Sequence, residues 1–395
     1  MESRIYFDHG SSAPLRAEAR TAIESTLDTT GDPLGLHTDS RRVRRILEEA
    51  RSEVAERLFA QPDEIAFTSG GTESVALGIR GAAIARRESG DRVVVSAVEH
   101  PSVLGAARSL AQEGFMSVSV GVDPDGRIDL ERLASEIRNP GTVLASVQHA
   151  NHEVGTMQAV AEAAQLCREA GVIFHTDACQ TTGKLPLDAT ALGADLLSIS
   201  AHKFGGPSGA GALYVRRGVA LSGFPPGDDR ERRRRAGMEN VAGVAGMAAA
   251  LSSAMHELPD QAAKQWSLTE RLRLGIEAVD GATVHGHPTQ RVPHLVGFSV
   301  SGLDPEVLLM SLDEKGFEVG GGSVASGMAH EASPVLEAMG VPHTVSTRIG
   351  VGPSSREEGV ERFLEMLPGL VAELRQMADS SAETLSRLRE ESEPA

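Results

Sequence analysis

The chain has 395 residues, 41% of them hydrophobic, and a formal net charge of −17. This length allows two domains, and the negative charge argues against a nucleic acid or an anionic membrane as partner, because phosphate groups would repel the chain. No apolar run approaches the roughly 20 residues that span a bilayer.

The cysteine content indicates a reducing compartment. Only Cys167 and Cys179 occur, without the paired spacing of a zinc site or a disulfide framework, so we expect no metal centre. The opening segment MESRIYFDHG lacks the charged-then-apolar layout of a signal peptide. We therefore expect a cytoplasmic protein.

The first part of the chain alternates short β-branched runs with amphipathic helical patterns. Strands are predicted over 65–68, 92–96, 142–147, 172–176, 196–200 and 212–215, and helices over 74–87, 129–138 and 160–170. Continuous apolar strands separated by helices are typical of a mostly parallel sheet covered on both faces. The expected fold class is therefore α/β.

The pattern changes beyond residue 250. A long polar helix is predicted over 251–279, followed by strands near 295–300, 317–319 and 347–350 and a helix over 357–373. We expect a large domain over 15–255, a smaller α+β domain built from 1–14 and 256–380, and a flexible tail over 381–395.

Polar residues follow the predicted strands. Ligands in open α/β sheets gather at the carboxyl ends of the strands, so these positions are the first candidates for a site. They are Thr68–Glu73, Glu99-His100, His149–Asn151, His175–Asp177 and Ser200–Lys203. Alone, a Gly-Gly turn between strand and helix is more often a tight turn than a ligand site. Here it would also place the amides of Gly71 and Thr72 at a helix N-terminus, which favours a phosphate.

Lys203 and Asp177 are two further candidates for the site. Alone, Lys203 could be a solvated surface lysine, and Asp177 could cap a helix or be a charge-paired core residue. A lysine between an apolar strand and a Gly-rich turn is more typical of a cleft, where desolvation frees the amine as a nucleophile. A helix N-terminus suited to a phosphate, a carboxylate, a lysine in a cleft and a histidine together predict a pyridoxal 5'-phosphate site.

The ordered motifs resemble those of cysteine desulfurases, which are class V aminotransferase-like enzymes of fold-type I. The similarity runs from Tyr6 to about residue 370. The motifs are Phe67–Glu73, Glu99–Pro101, His149–Thr156, His175–Gln180 and Ser200–Phe204.

The resemblance implies a role for each matching residue. Lys203 would form the Schiff base with the cofactor and move the α-proton, and His100 would stack over the ring and assist catalysis. Arg348 would bind the substrate carboxylate, a bidentate task suited to guanidinium. The other implied cofactor contacts are Gly71, Thr72, Asn151, Asp177, Gln180, Ser200 and His202.

Three departures from the family pattern carry functional information. The sulfur-accepting cysteine of the family falls on Ala325, beside Ser323, and both positions would face the substrate. Met238 stands where the family has a threonine that reaches the partner's phosphate, yet a homodimer with composite active sites is still expected. Segments 8–10, 31–37 and 226–230 also depart from the family pattern, and in the family they line the mouth of the site.

These departures favour a lyase acting on an S-substituted cysteine by β-elimination, with a thiol, pyruvate and ammonia as products. Related enzymes without the cysteine occur in secondary-metabolite sulfur chemistry, including cysteine-conjugate processing in lincosamide-type antibiotic assembly. Decarboxylation-dependent oxidative deamination on the same scaffold is one alternative. A non-catalytic protein that binds a sulfur-transfer partner is another, and a desulfurase with an external acceptor thiol is a third.

Overall fold

The structure is a computed structural model that describes residues 4–321, 332–341 and 346–392, with side chains as far as residue 379. Ser323 and Ala325 lie outside the described residues. The strands, in chain order, are β1 Ile5–Phe7, β2 Ile65–Thr68, β3 Arg92–Ser96, β4 Met116–Val120, β5 Thr142–Ser146, β6 Ile173–Asp177, β7 Leu196–Ser200, β8 Gly211–Val215, β9 Ala282–His285, β10 Leu295–Val300, β11 Phe317–Gly321 and β12 Thr347–Gly350.

Helices occur in most of the segments between these strands. They span Ala17–Leu27, Thr38–Arg57, Gly71–Ala85, Pro101–Ser109, Leu130–Ile137, Val160–Ala170, Val241–His256, Leu258–Glu277, Pro305–Glu314, Pro334–Ala338 and Glu357–Ser392, with a short helical turn at Arg230–Arg233. The last helix continues well past its predicted end at residue 373.

A seven-stranded sheet forms the first half of the molecule, in the order β2-β8-β7-β6-β5-β3-β4. The strands from β7 to β4 pair in parallel, and β8 runs antiparallel to both of its neighbours. Separate clusters of buried apolar side chains cover its two faces. The predicted α/β fold with a mostly parallel sheet is confirmed.

A second sheet of five strands has the order β1-β11-β12-β10-β9 and its own apolar cluster. Its strands are antiparallel except for β1, which pairs in parallel with β11. The rings of Phe7, Phe317 and Phe363 pack against one another at its centre, with centroids 5.4–6.4 Å apart. The sheet places Arg348, on β12, toward the first half of the chain.

The predicted single helix over 251–279 is wrong, because two helices meet at Glu257. Pro259 lies in the first turn of the second helix, where a missing N–H is tolerated but would interrupt a continuous helix. Strands β1, β4 and β9 were also not predicted. In β4 the alternation Met-Ser-Val-Ser-Val carries the period-2 signal of a half-exposed strand. No helix within the described residues is both long and apolar enough to cross a membrane.

Candidate active site

A cavity of about 230 Å³ lies at the carboxyl ends of the seven-stranded sheet. Its lining includes eight of the residues that the sequence analysis singled out: Gly71, Thr72, His100, Asp177, Gln180, Ser200, His202 and Lys203. They follow four different strands, β2, β3, β6 and β7. Residues that are far apart in the chain therefore meet where these strands end, as expected for an open α/β sheet.

Lys203 lies in a tight turn directly after β7. Its Nζ donates a 2.8 Å hydrogen bond to the carbonyl oxygen of Gly10. Burial, followed by the nearby Arg348 guanidinium, lowers the pKa of Lys203 to about 8. A substantial fraction of the amine is therefore neutral and nucleophilic near neutral pH.

The N-terminus of the helix Gly71–Ala85, where a phosphate is predicted, forms one end of the cavity. Gly70 caps this helix without a side-chain hydrogen bond. A Cβ atom on Gly71 would lie 2.8 Å from Sγ of Cys179, so only glycine fits beside the thiol. Ser200 Oγ lies 3.0 Å from Nδ1 of His202, and burial lowers the pKa of His202 to about 4. The imidazole is therefore neutral at pH 7 and can donate one hydrogen bond.

Asp177 is the last residue of β6 and lines the cavity. One of its carboxylate oxygens accepts a 2.9 Å hydrogen bond from the backbone N–H of Cys179. Gln180 follows in the same turn and donates from Nε2 to the Gly10 carbonyl at 3.0 Å. Gly10 therefore connects Lys203 and Gln180 through one oxygen.

The imidazole ring of His100 packs edge to face against the ring of His152, with ring centroids 4.9 Å apart. Burial is the main cause that lowers the pKa of both rings, and it acts more strongly on His152. His152 lines the cavity and its Nδ1 has no hydrogen-bond partner among the described residues.

Asn151, a predicted cofactor contact, does not line this cavity. The Asn151 amide is used by the backbone, accepting from the N–H groups of Glu153 and Val154 and donating to the Val98 carbonyl. A contact from Asn151 to the cofactor ring therefore stays a prediction.

Arg348 is buried behind the cavity wall, 4% exposed. It donates to the His152 carbonyl, to Asp8 and to Ser11, while its Nε has no partner among the described residues. Its role toward a substrate carboxylate also stays a prediction.

The class-V aminotransferase family model matches residues 5–363. The chain belongs to this family. A cysteine desulfurase IscS from Methanosarcina thermophila is 36% identical over 378 residues, covering 95% of this chain and 93% of the relative. One from Anaeromyxobacter dehalogenans is 38% identical over 386 residues, covering 96% of this chain and 95% of the relative.

Solved structures of this family share the fold. A NifS-like protein superposes with a TM-score of 0.87 at 30% identity, covering 94% of this chain and all of that chain. A structure described as SspA in complex with cysteine has a TM-score of 0.78 at 26% identity, covering 89% of this chain and 100% of the other. The predicted resemblance to cysteine desulfurases is confirmed.

Class-V aminotransferases and cysteine desulfurases depend on pyridoxal 5'-phosphate, so this is the cofactor of the chain. The residues present fit it: a lysine amine with a lowered pKa, a carboxylate at the sheet end, and a glycine that leaves helix amides open to an anion. Among the described residues, no group of three or more acidic, histidine or cysteine side chains could hold a metal ion.

Sequence reasoning missed the roles of two residues in this region. His152 stands within a motif without a role of its own, although it follows β5 at the same sheet edge as the other candidates. Gly10 is expected only in a segment at the mouth of the site, because its contact with Lys203 is made by a backbone carbonyl whose position depends on the tertiary fold.

Proposed function

We propose that this chain is a pyridoxal-phosphate-dependent C–S lyase acting on an S-substituted cysteine. The substrate and one water give a thiol, pyruvate and ammonium. The Cα–H proton goes to a base, the Cβ–S bond breaks, and the sulfur keeps the bonding electron pair. Hydrolysis of the remaining enamine releases the keto acid and ammonium.

The observation that carries this proposal is that no thiol of the chain is suited to accept sulfur. Position 325, where the family's cysteine falls, is alanine. Burial raises the pKa of Cys167 to about 12 and the pKa of Cys179 well above its usual value. Because the thiolate is the nucleophile, neither residue supports persulfide formation.

The cavity also supplies groups that support proton transfer at Cα. The Lys203 amine is available to move the α-proton, and His100 lies across the same cavity. When bound, the cofactor withdraws electrons from Cα and so lowers the barrier to losing that proton. An inert scaffold that only binds a partner would not need a lysine with a lowered pKa beside Asp177 and Arg348.

The finer assignments are part of the same proposal. A relative crystallised with cysteine supports an amino-acid substrate, which Arg348 would hold through its carboxylate. We expect a homodimer in the cytoplasm, with Met238, 58% exposed in one chain, at the partner's site. Secondary-metabolite sulfur chemistry is the expected setting.

Product analysis by mass spectrometry tests the proposal. The holoenzyme is incubated with S-methylcysteine, S-benzylcysteine and plain cysteine, with and without an external thiol, and the Lys203→Ala variant is the control. We expect equal amounts of thiol and pyruvate from a substituted cysteine.

Two other outcomes would each replace the proposal. Carbon dioxide with an S-linked aldehyde would indicate the decarboxylating, oxygen-dependent branch. Alanine and sulfide from plain cysteine, only with external thiol present, would indicate a desulfurase that uses an outside acceptor.

A further inference from the structure

A second cavity, of about 250 Å³, is also lined by Lys203. We call it the rear cavity. Its lining comes from His9, from residues within 13–18, 183–184 and 203–205, from residues within 254–265, and from 351–354. The rear cavity therefore adjoins the lysine that also lines the cofactor site.

One wall of the rear cavity is a polar stripe on a helix that would ordinarily bury apolar residues there. Gln261 and Gln265 are four residues apart, so they lie on one face of the helix Leu258–Glu277, and Glu257 precedes them as its N-cap residue. Glu257 is paired with Arg16 at 3.0 Å. The Oε1 atoms of Gln261 and Gln265 have no hydrogen-bond partner among the described residues, although Gln265 is only 5% exposed.

A buried amide without a partner costs about 1–3 kcal/mol and calls for an explanation. Its oxygen and nitrogen exchange places by a half-turn of the side chain, so it can offer either a donor or an acceptor to a ligand. Two such amides one helical turn apart form a paired binding surface.

A second buried lysine, Lys184, also lines the rear cavity. Lys184 is 8% exposed, and its Nζ makes one long hydrogen bond, 3.5 Å, to the His9 carbonyl. No carboxylate of the described residues forms an ion pair with it. Burial, together with the charges of Lys203 and Arg348, lowers the pKa of Lys184 well below its usual value. A buried amine without a counter-ion is unusual, because lysines in protein interiors are normally paired.

We propose that the rear cavity is a binding site for a small carboxylate, held by the amine of Lys184 and the amides of Gln261 and Gln265. The carboxylate supplies the missing counter-ion, and the amides gain the partner they lack. Binding places a negative charge next to an amine whose pKa is lowered by burial, so the anion favours proton uptake by Lys184 as it enters. The other titratable or charged groups that line the cavity are His9, Arg16, Glu18, Lys203 and Glu257. The affinity should therefore increase as the pH falls.

Isothermal titration of the holoenzyme with acetate tests this inference, and it requires no turnover. The titration is repeated in two buffers of different ionisation enthalpy, which reveals proton uptake. Dimethylglycine, whose tertiary amine cannot form a Schiff base, distinguishes an amino-acid source from a plain carboxylate. The fluorescence of Trp266, the single tryptophan, gives a second readout because it follows Gln265 in the chain.

We expect Lys184→Met to weaken acetate binding about tenfold to hundredfold. Lys315→Met, the same change at a half-exposed surface lysine, should leave binding unchanged. Arg348 does not line the rear cavity, although its charge acts on Lys184, so Arg348→Gln should retain acetate binding and weaken it less than Lys184→Met does. Equal acetate affinity in Lys184→Met and the parent would overturn the inference, as would loss of binding in Arg348→Gln alone.

A second variant covers the case in which Lys184→Met does not fold. Gln265→Leu replaces an unpaired amide by an apolar side chain, so we expect a higher melting temperature together with weaker acetate binding. Unchanged acetate binding in Gln265→Leu would contradict a ligand role for the stripe. None of these results depends on which bond the enzyme breaks, so the site and the proposed lyase activity can fail separately.

Discussion

The amine of Lys203 and the carbonyl oxygen of Gly10 lie 2.8 Å apart, although one belongs to the end of β7 and the other to the first turn after β1. The N-terminal segment thus contacts the lysine directly through its backbone. Gly10 has no room for a side chain, because a Cβ atom would lie 2.7 Å from Nε of Arg348. Three parts of the chain meet at this residue.

The lowered pKa of Lys203 predicts how fast apoenzyme captures its cofactor. Only the neutral amine attacks the aldehyde, so the rate constant should increase with pH up to about 8 and then level off. At pH 7 roughly one amine in ten is neutral, against roughly one in three thousand for an ordinary lysine. Stopped-flow absorbance from pH 6 to 10 measures this profile, and a midpoint above pH 10 would contradict it.

Gly71→Ala should weaken cofactor binding, because the new Cβ atom would overlap Sγ of Cys179. Combining Gly71→Ala with Cys179→Ala removes the overlap and should recover much of the affinity. Gly105→Ala is the matched control, since nothing lies within 4 Å of its Cβ position, and alanine favours the helix there by about 0.5–1 kcal/mol. Equilibrium dialysis gives the affinities. Equal binding in Gly71→Ala and the parent would refute the close contact.

Arg233→Gly should stabilise the protein by about 1 kcal/mol, because Arg233 has a φ of 67°, in the left-handed region. The ion pair lost with Asp229 is exposed and contributes little. Arg20→Gly is the control with the opposite sign, since it places glycine inside the helix Ala17–Leu27 and should cost about 1 kcal/mol. Urea unfolding measures both. Destabilisation by Arg233→Gly would show that the side chain has a structural role.

Glu99 predicts a specific dependence of stability on pH. It is 2% exposed, one of its oxygens accepts from the Gln148 N–H and the other has no partner among the described residues. Burial raises the pKa of Glu99 well above its usual value of 4.5. The unfolded chain ionises Glu99 near that value while the folded protein holds the proton to higher pH, so the contribution of Glu99 to stability falls as the pH rises from 4.5 through its raised pKa.

Glu99→Gln fixes the neutral form and tests this dependence. The difference in unfolding free energy between Glu99→Gln and the parent should move in favour of glutamine as the pH increases from 4.5 to 8. Glu162→Gln, at an exposed position, should give a flat difference. A flat difference for Glu99→Gln as well would mean that the carboxyl group ionises normally in the folded protein.

Ala325→Cys should not by itself create efficient desulfuration, because segments 31–37 and 226–230 also depart from the family. The structure joins these segments, since Arg230 forms an ion pair with Asp32 at 2.6 Å and with Asp228 at 3.0 Å. Sulfide release from plain cysteine in the presence of a reductant measures the outcome. Rapid release from the single variant would show that these segments do not control the chemistry.

Much of the site could be predicted because its residues follow strands that have clear sequence signals. Asp177, Ser200 and Lys203 each come at or just after an apolar run, and the strand-end rule then places them at one edge. Gly10 and Lys184 could not be predicted in this way, because their contacts depend on how the five-stranded sheet packs against the first. The same applies to Asn151, where tertiary context directs the amide to the backbone instead of the cavity.

The parallel pairing of β1 with β11 has a consequence for synthesis on the ribosome. Ile5 pairs with Phe317, so the first strand has no partner until nearly the whole chain has emerged. Contacts between such distant residues form late, because closing a long loop costs entropy before the pairing compensates for it. The seven-stranded sheet can assemble earlier, but the Gly10 carbonyl reaches Lys203 only after β11 has been made. A nascent chain therefore carries both Gly10 and Lys203 before it carries β11, the strand that pairs with β1 next to Gly10, and its cofactor pocket is completed last.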